Sequence, residues 1–440
     1  MSNIWGSVHY DMYQYIGADA SLYIYAKISV NGEYWGIYLA LEAVEQSFML
    51  RNYGTQDGEL YKPDSMEMGG SSSSSSSSTP GFGDMTPPSG SGSFPGGSSG
   101  FDPENMPDNN DFSFDGNMPD MSDFSPSDMG GGGFSMRGGG SDLNYVDDDL
   151  DSYSTIWEGE ITGTGNADHR RVVTALKNIS EGNDLEKYLD VDNILKYMAV
   201  HTFAVNADSL SGSMAHNYYL YEYDGQLNIL PWDYNLSFGG MSMGGSASAT
   251  DMVNDPIDTP FSSTHFFDAL LENEEYLEKY HEYLQELVDE YVKGGGFDEV
   301  YSRIRSQIDE LVETDPNALY DYEEYDTAAE LLHETIKLRA ESIDGQLNGT
   351  IPSTDAGQRQ DSSNLIDASH IDVTVMGQFN MGGFADNRKG KREESDDSSS
   401  SFEGFSFFGF GGFSGVICLI SIRAIYLKAD SISMEETCQA

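Results

Sequence analysis

The sequence predicts an α+β fold: a small β-rich N-terminal part and a mainly helical C-terminal part, with long disordered segments between and after them. Three observations predict it. Two pairs of aromatic and β-branched runs are each joined by a turn dipeptide, Asn31-Gly32 and Asp224-Gly225. Apolar residues at helical spacing recur from Asp192 onward. Between these regions the composition shifts abruptly to Ser, Gly, Pro and Asp.

In the first part, Ser21–Val30 is rich in β-branched and aromatic residues and reads as a strand, with Tyr34–Glu42 as its return. Asn31-Gly32 supplies the two positive φ angles that a type I′ hairpin turn needs. A helix is expected around Val44–Asn52, ended by Gly54, and Glu59–Pro63 reads as a further short strand. From Ser65 to Ser141 come the serine run Ser71–Ser78, Gly-rich stretches and a repeated Asn-Met-Pro-Asp, with Arg137 as the only basic residue. Such a stretch buries too little apolar surface to offset its ordering entropy, so disorder is predicted. As a loop insertion it is tolerable, because closure cost rises only logarithmically with length.

The pattern resumes at Asp142. Ile194, Leu195, Met198 and Thr202 place a helix over Asp192–Phe203. Asn217–Tyr223, Asp224-Gly225 and Gln226–Leu230 give the strongest hairpin signal in the chain. Leu277, Tyr280, Leu284, Leu287, Val288 and Tyr291 share one helix face, and the last helix is expected around Ala328–Leu347. Beyond Thr350 the chain turns polar and Ser/Asp-rich, and an unstructured tail is predicted.

Charge and cysteine usage narrow the function. Asp and Glu number 74 against 22 Lys and Arg, a formal net charge of −52. Nucleic-acid binding is not expected, since phosphate neutralisation needs clustered cations. The acidity suits a basic partner instead. Both cysteines, Cys418 and Cys438, lie near the end, so neither a disulfide framework nor a Cys-based zinc site holds the body of the chain. The N-terminus lacks the pattern of a signal peptide, and the apolar run Val416–Ile422 is too short to span a membrane.

The most informative stretch is Asn206–Gly239. A loop opens at Asn206-Ala-Asp208, delivers Asn217 to the start of a hairpin, and the second strand ends at Pro231-Trp-Asp233. Closing the hairpin brings Asn217 and Asp233 together at its open end, within reach of Asp208. Two carboxylates and an amide suit nucleotide phosphoryl transfer: one carboxylate takes the substrate hydroxyl proton, while the other and the Asn hold Mg²⁺ against the phosphates. Protein kinases carry the same order of acid, Asn, hairpin and metal-binding Asp. The plainer reading of Asp and Asn in loops is turn and cap formation, which accounts for Asp224 but not for Asp233.

Several runs carry a resemblance: Asn31–Glu42, Leu60-Tyr-Lys-Pro63, Asn206-Ala-Asp208, His216-Asn-Tyr-Tyr-Leu-Tyr221, Leu230-Pro-Trp-Asp233, Leu271–Tyr276 and Ile336–Arg339. Together they resemble the spore-coat protein H (CotH) kinase family from about Tyr23 to Gly349. The resemblance implies a divergent, atypical protein-kinase-like fold and Ser/Thr phosphorylation of spore-coat or cell-surface proteins with ATP and Mg²⁺. It implies Asp208 as the catalytic acid-base and Asp233 as a Mg²⁺ ligand, with Asn217 as the second. Lys62, after a Gly-bearing hairpin, is the candidate for the nucleotide phosphates, and Glu42 for its ion-pair partner. Residues 1–64 would then be the β-rich part of the kinase-like domain, 65–141 its disordered insertion, 142–349 the catalytic and helical part, and 350–440 a disordered tail. The family implies a bacterial spore-coat or extracellular location, and the acidity a basic, Ser-rich protein substrate.

Family members usually carry more chain ahead of the hairpin, and many have a leader or anchor. The short N-terminal stretch and the ending Ser431–Ala440 therefore read as a truncated or altered gene product. A catalytically inactive kinase-fold scaffold of the coat or surface is the alternative, and a calcium-dependent adhesion module a third. For calcium, Asp147, Asp149, Asp151 and Glu158 have loop spacing, but Ser152 stands where glycine is required.

Overall fold

The first strand, β1 (Tyr23–Val30), pairs antiparallel with β2 (Glu33–Leu41), Tyr23 opposite Leu41 and Val30 opposite Glu33. Asn31 and Gly32 take φ of 53° and 84°, the conformation expected of this turn. The computed structural model describes residues 2–63, 139–212, 215–242, 248–261, 263–318, 320–377, 379–380 and 432–436. All of them belong to the unit made by Met1–Glu67 and Met136–Ala440. The expected insertion lies outside the described residues except for 139–141, which form a turn.

A helix precedes the hairpin, α1 (Ser2–Tyr15), which the sequence reading does not anticipate. Its Val8, Tyr10, Met12 and Tyr13 are buried in the core. After β2 come α2 (Gln46–Tyr53), closed by Gly54 in the left-handed region, and β3 (Glu59–Tyr61). Beyond 139 lie α3 (Ser154–Glu158), α4 (Asn166–Ser180), α5 (Leu185–Tyr188) and α6 (Val191–Ala204). Helix α6 is the centre of the molecule: every residue from Tyr197 to Ala204 is buried, and it packs on α1, on the second hairpin and on the later helices.

The second hairpin is β4 (Tyr218–Tyr223) and β5 (Gln226–Pro231), turning at Asp224 and Gly225 with φ of 51° and 86°. Strand β3 joins it antiparallel, Tyr61 opposite Leu220, giving the order β3-β4-β5. Lys62 and the feet of the hairpin therefore lie at one end of one sheet. A short β6 (Met241–Ser242) precedes α7 (Ala249–Val253), α8 (Asp268–Leu271) and α9 (Glu274–Glu286). Helix α9 runs on as a π-helix, Leu287–Val292, which keeps Leu287, Val288, Tyr291 and Val292 all buried.

The long helices α10 (Gly296–Thr314) and α11 (Tyr322–Leu347) complete the helical part. Helix α11 starts ahead of the expected Ala328, because Asp321 and Glu324 form a reciprocal cap. A second correction concerns the predicted tail: residues 351–377 are packed. Helix α12 (Asp355–Gln360) lies there, and Ile351, Ala368, Ile371, Val373 and Met376 are buried. Polarity misleads here because Asn254 holds the segment by its backbone, exchanging hydrogen bonds with Ile366 N–H and C=O at 3.0 and 2.8 Å. Strand β7 (Phe379–Asn380) pairs with β6, and β8 (Ile432–Glu436) adds antiparallel to the free edge of β1.

Candidate functional site

The site is built at the foot of β4 and β5, where α6 ends. Val205 leaves the helix with φ 47°, a strained value for a β-branched residue. Asn206 Oδ1 then accepts from the Asp208 N–H at 3.3 Å, turning the chain so that Asp208 is buried. The loop folds tightly enough that a Cβ on Gly212 would sit 1.6 Å from the Ala207 carbonyl oxygen, so only glycine fits.

Asn217 closes this loop on the hairpin. Its Nδ2 donates to the Asp208 carbonyl at 2.8 Å and to Asp208 Oδ2 at 3.1 Å. Both partners are acceptors, which fixes the amide orientation and leaves Asn217 Oδ1 without a hydrogen bond among the described residues. Ser209 Oγ donates to the Asn217 carbonyl at 3.2 Å, tying the same two segments again. On the other side, His216 Nε2 lies 3.1 Å from Asp208 Oδ1.

Asp233 ends β5 with φ 47°, a conformation Asp tolerates. Its carboxyl is pushed up to about 6, by burial first and next by the charge of Asp208, against the pull of the Asn235 N–H, His216 and Lys62. Asp208, His216 and Lys62 therefore all act on Asp233. Lys62 is held by its own backbone: its N–H donates to the Gly159 carbonyl at 2.7 Å, and a Cβ on Gly159 would sit 2.2 Å from the Lys62 carbonyl oxygen. Its ammonium makes no ion pair among the described residues.

Four of the five expected site residues, Asp208, Asn217, Asp233 and Lys62, thus meet at one place. Glu42 does not join them, which corrects its pairing with Lys62. Its carboxylate takes the Arg51 guanidinium and the Leu22 N–H at 3.2 Å, because α2 returns Arg51 over the end of β2. The acidic run also serves another purpose: Asp149 accepts from the Asp151 N–H to cap a helical turn, and Asp147 accepts from Ser152 Oγ.

Sequence reasoning gave no role to His216, Tyr10, Asn206 or Asn235. His216 was signalled only by its place beside Asn217. Tyr10 comes from the unanticipated α1 and is held neutral by burial and by the charge of Asp233. Asn206 Nδ2 and Asn235 Oδ1 are buried without a hydrogen bond among the described residues, while Asp208 Oδ1 faces His216 Nε2 alone. Buried polar atoms ordinarily find partners, so two such atoms on the residues flanking Asp208 and Asp233 suit a polar ligand. Among the described residues no three His, Cys, Asp or Glu side chains are grouped to hold a metal. Two carboxylates, Asp208 and Asp233, with the Asn217 amide oxygen are a smaller donor set, of the kind that suits Mg²⁺, which binds through one or two carboxylates and completes its shell with water and phosphate oxygens.

The model of the family described as CotH kinase protein matches residues 2–89 and 133–343. The chain belongs to the CotH kinase family. The match takes in α1, ahead of the hairpin where the resemblance begins, and continues through most of α11. It spans every residue of the CotH site described above. No curated protein matches the chain. Among the described residues no helix is long and apolar enough to cross a membrane.

Proposed function

We propose that this CotH-family chain is an atypical Ser/Thr protein kinase with a divergent kinase-like fold, transferring the γ-phosphate of ATP with Mg²⁺. The observation that carries the reading is the meeting of Asp208, Asn217 and Asp233 at the foot of one hairpin, with Lys62 just past the end of the neighbouring strand. Asp208, oriented by Asn217 and His216, receives the proton of the substrate hydroxyl as that oxygen bonds to the γ-phosphorus and ADP departs. Asp233 and Asn217 Oδ1 would hold Mg²⁺, which when bound supplies positive charge to the phosphate oxygens. Lys62, directly after β3, would approach those phosphates from the end of that strand. Two carboxylates close enough to raise a pKa repel each other, and a bound cation relieves that repulsion.

The net charge of −52 favours a basic, Ser-rich protein substrate of the spore coat or cell surface, with steering that weakens as salt rises. The test is phosphate transfer from labelled ATP to a basic Ser-rich peptide by the wild type and by Asp233→Asn. Turnover should fall by about 100-fold or more, the scale of losing a group that stabilises transition-state charge. Equal transfer by both proteins would favour the inactive scaffold.

A further inference from the structure

Behind the two carboxylates runs a buried chain of polar side chains that no step above employs. His201 stands three residues before the end of α6, held between the rings of Tyr197 and Phe261, each with its centroid 5.3 Å away. Its Nδ1 lies 2.9 Å from the Tyr234 hydroxyl and its Nε2 lies 2.7 Å from Ser211 Oγ. Tyr234 comes directly after Asp233, and its hydroxyl also meets that of Tyr13 on α1. Ser211 Oγ reaches the Asn206 carbonyl at 2.9 Å, two residues ahead of Asp208.

Proton bookkeeping gives this chain one direction. The Asn206 carbonyl can only accept, so the single Ser211 proton is spent there and Ser211 must accept from His201 Nε2–H. Burial pushes the His201 ring down to about 3, so it is neutral, and its Nδ1 is then the acceptor. Tyr234 therefore donates to Nδ1, and its own oxygen accepts from Tyr13. Every proton in the sequence Tyr13, Tyr234, His201, Ser211, Asn206 is committed.

We propose that His201 is a positioning residue that fixes the separation of Asp208 and Asp233 by tying the loop of the first to the strand end of the second. One ring, fixed in one tautomer, bonds a different carboxylate-bearing segment through each nitrogen. A histidine that merely filled the core would not need both bonds to run to those two segments. The importance of this tie for turnover rests on the kinase reading; the tie itself does not.

Three variants of the full chain separate the two bonds. His201→Phe removes both, His201→Gln keeps a donor where Nε2 stood, and His201→Asn keeps an acceptor where Nδ1 stood. Amide hydrogen exchange is measured without nucleotide or metal. The Phe variant should exchange roughly 10-fold faster in both 206–212 and 232–238, the scale of leaving a buried polar group unpaired. Gln should restore protection to 206–212 and Asn to 232–238. No change in either segment, or a rise spread evenly over α6 and its neighbours, would overturn the tie.

Binding of Mn²⁺ with a non-hydrolysable ATP analogue is the second readout. In the Phe variant it should weaken by roughly 10-fold, and unchanged affinity beside loosened segments would overturn the claim that the tie sets the carboxylate spacing. Absence of binding in the wild type would instead sink the kinase reading, leaving hydrogen exchange to decide on the tie.

Discussion

Consider Asp233→Asn in the protein freed of metal by a chelator. In the folded chain this carboxyl is pushed from 3.8 up to about 6. Between those values the folded state holds a proton that the unfolded chain has released, so stability falls as pH rises through this window. The penalty is absent below the unfolded value and complete above about 6. A shift of this size corresponds to about 3 kcal/mol. Asp233 is only half-buried, however, and solvent screening at its open face reduces the figure to about 1–2 kcal/mol.

Asparagine keeps the shape, carries no charge and accepts the same left-handed φ of 47° without new strain. The variant should therefore melt about 2–8 °C above the wild type at neutral pH and alongside it near pH 4. Thermal melts across that pH range measure the difference. A variant less stable than the wild type at neutral pH, or a difference flat with pH, would refute the account of a buried carboxylate held beside Asp208 at a cost. Adding Mg²⁺ and ATP supplies the complementary measurement. At a hundredfold excess over the dissociation constant the wild type should gain about 2.7 kcal/mol, and the variant much less.

The same geometry sets three further outcomes. Arg339 is fully buried and donates to the carbonyls of Thr202, Phe203, Val253 and Asp255 at 2.7–3.3 Å. Arg339→Met removes all four bonds, with only the Thr202 and Asp255 carbonyls keeping another donor among the described residues, the Val205 N–H and Gln346 Nε2, and urea unfolding should show a loss of about 3–5 kcal/mol. Lys62→Ala should raise the KM for ATP roughly 10-fold, the worth of one charge-assisted contact, and lower the melting temperature slightly at neutral pH, because its charge offsets the penalty at Asp233. Glu42→Gln, which touches only the Arg51 pairing and the Leu22 N–H, should cost at most about 1 kcal/mol and leave phosphate transfer unaltered.

Both hairpins were legible because Asn31-Gly32 and Asp224-Gly225 need positive φ and sit between alternating apolar runs. Helix α6 was legible through Ile194, Leu195 and Met198. Helix α1 was not: its buried face is made largely of Tyr10, Tyr13 and Met12, and polar residues interrupt the pattern. The packing of 351–377 escaped for a related reason, since side chains of distant residues such as Asn254 and Thr250 bind its backbone. In the site, Asp208, Asn217 and Asp233 could be placed from hairpin closure, which is local. The pairing of Glu42 failed because it depended on where α2 would return Arg51. No spacing rule could report that His201, on a helix, connects two loops.

The backbone around the site points to the same conclusion as its charges. Val205, Ala215, Asn217, Asp233 and Phe238 all take positive φ between 47° and 57°. Strain of this kind costs of order 1–3 kcal/mol for a residue unsuited to it and persists only where surrounding structure over-determines it. Here the surrounding structure is identifiable. Arg339 holds the last carbonyls of α6, Asn217 closes the Asp208 loop on β4, and His201 ties that loop to the end of β5. Two repelling carboxylates beside strained backbone at Val205, Ala215 and Phe238 depend on such supports to stay together. On the proposed kinase reading, such supports keep both acids in place before a cation and phosphates arrive.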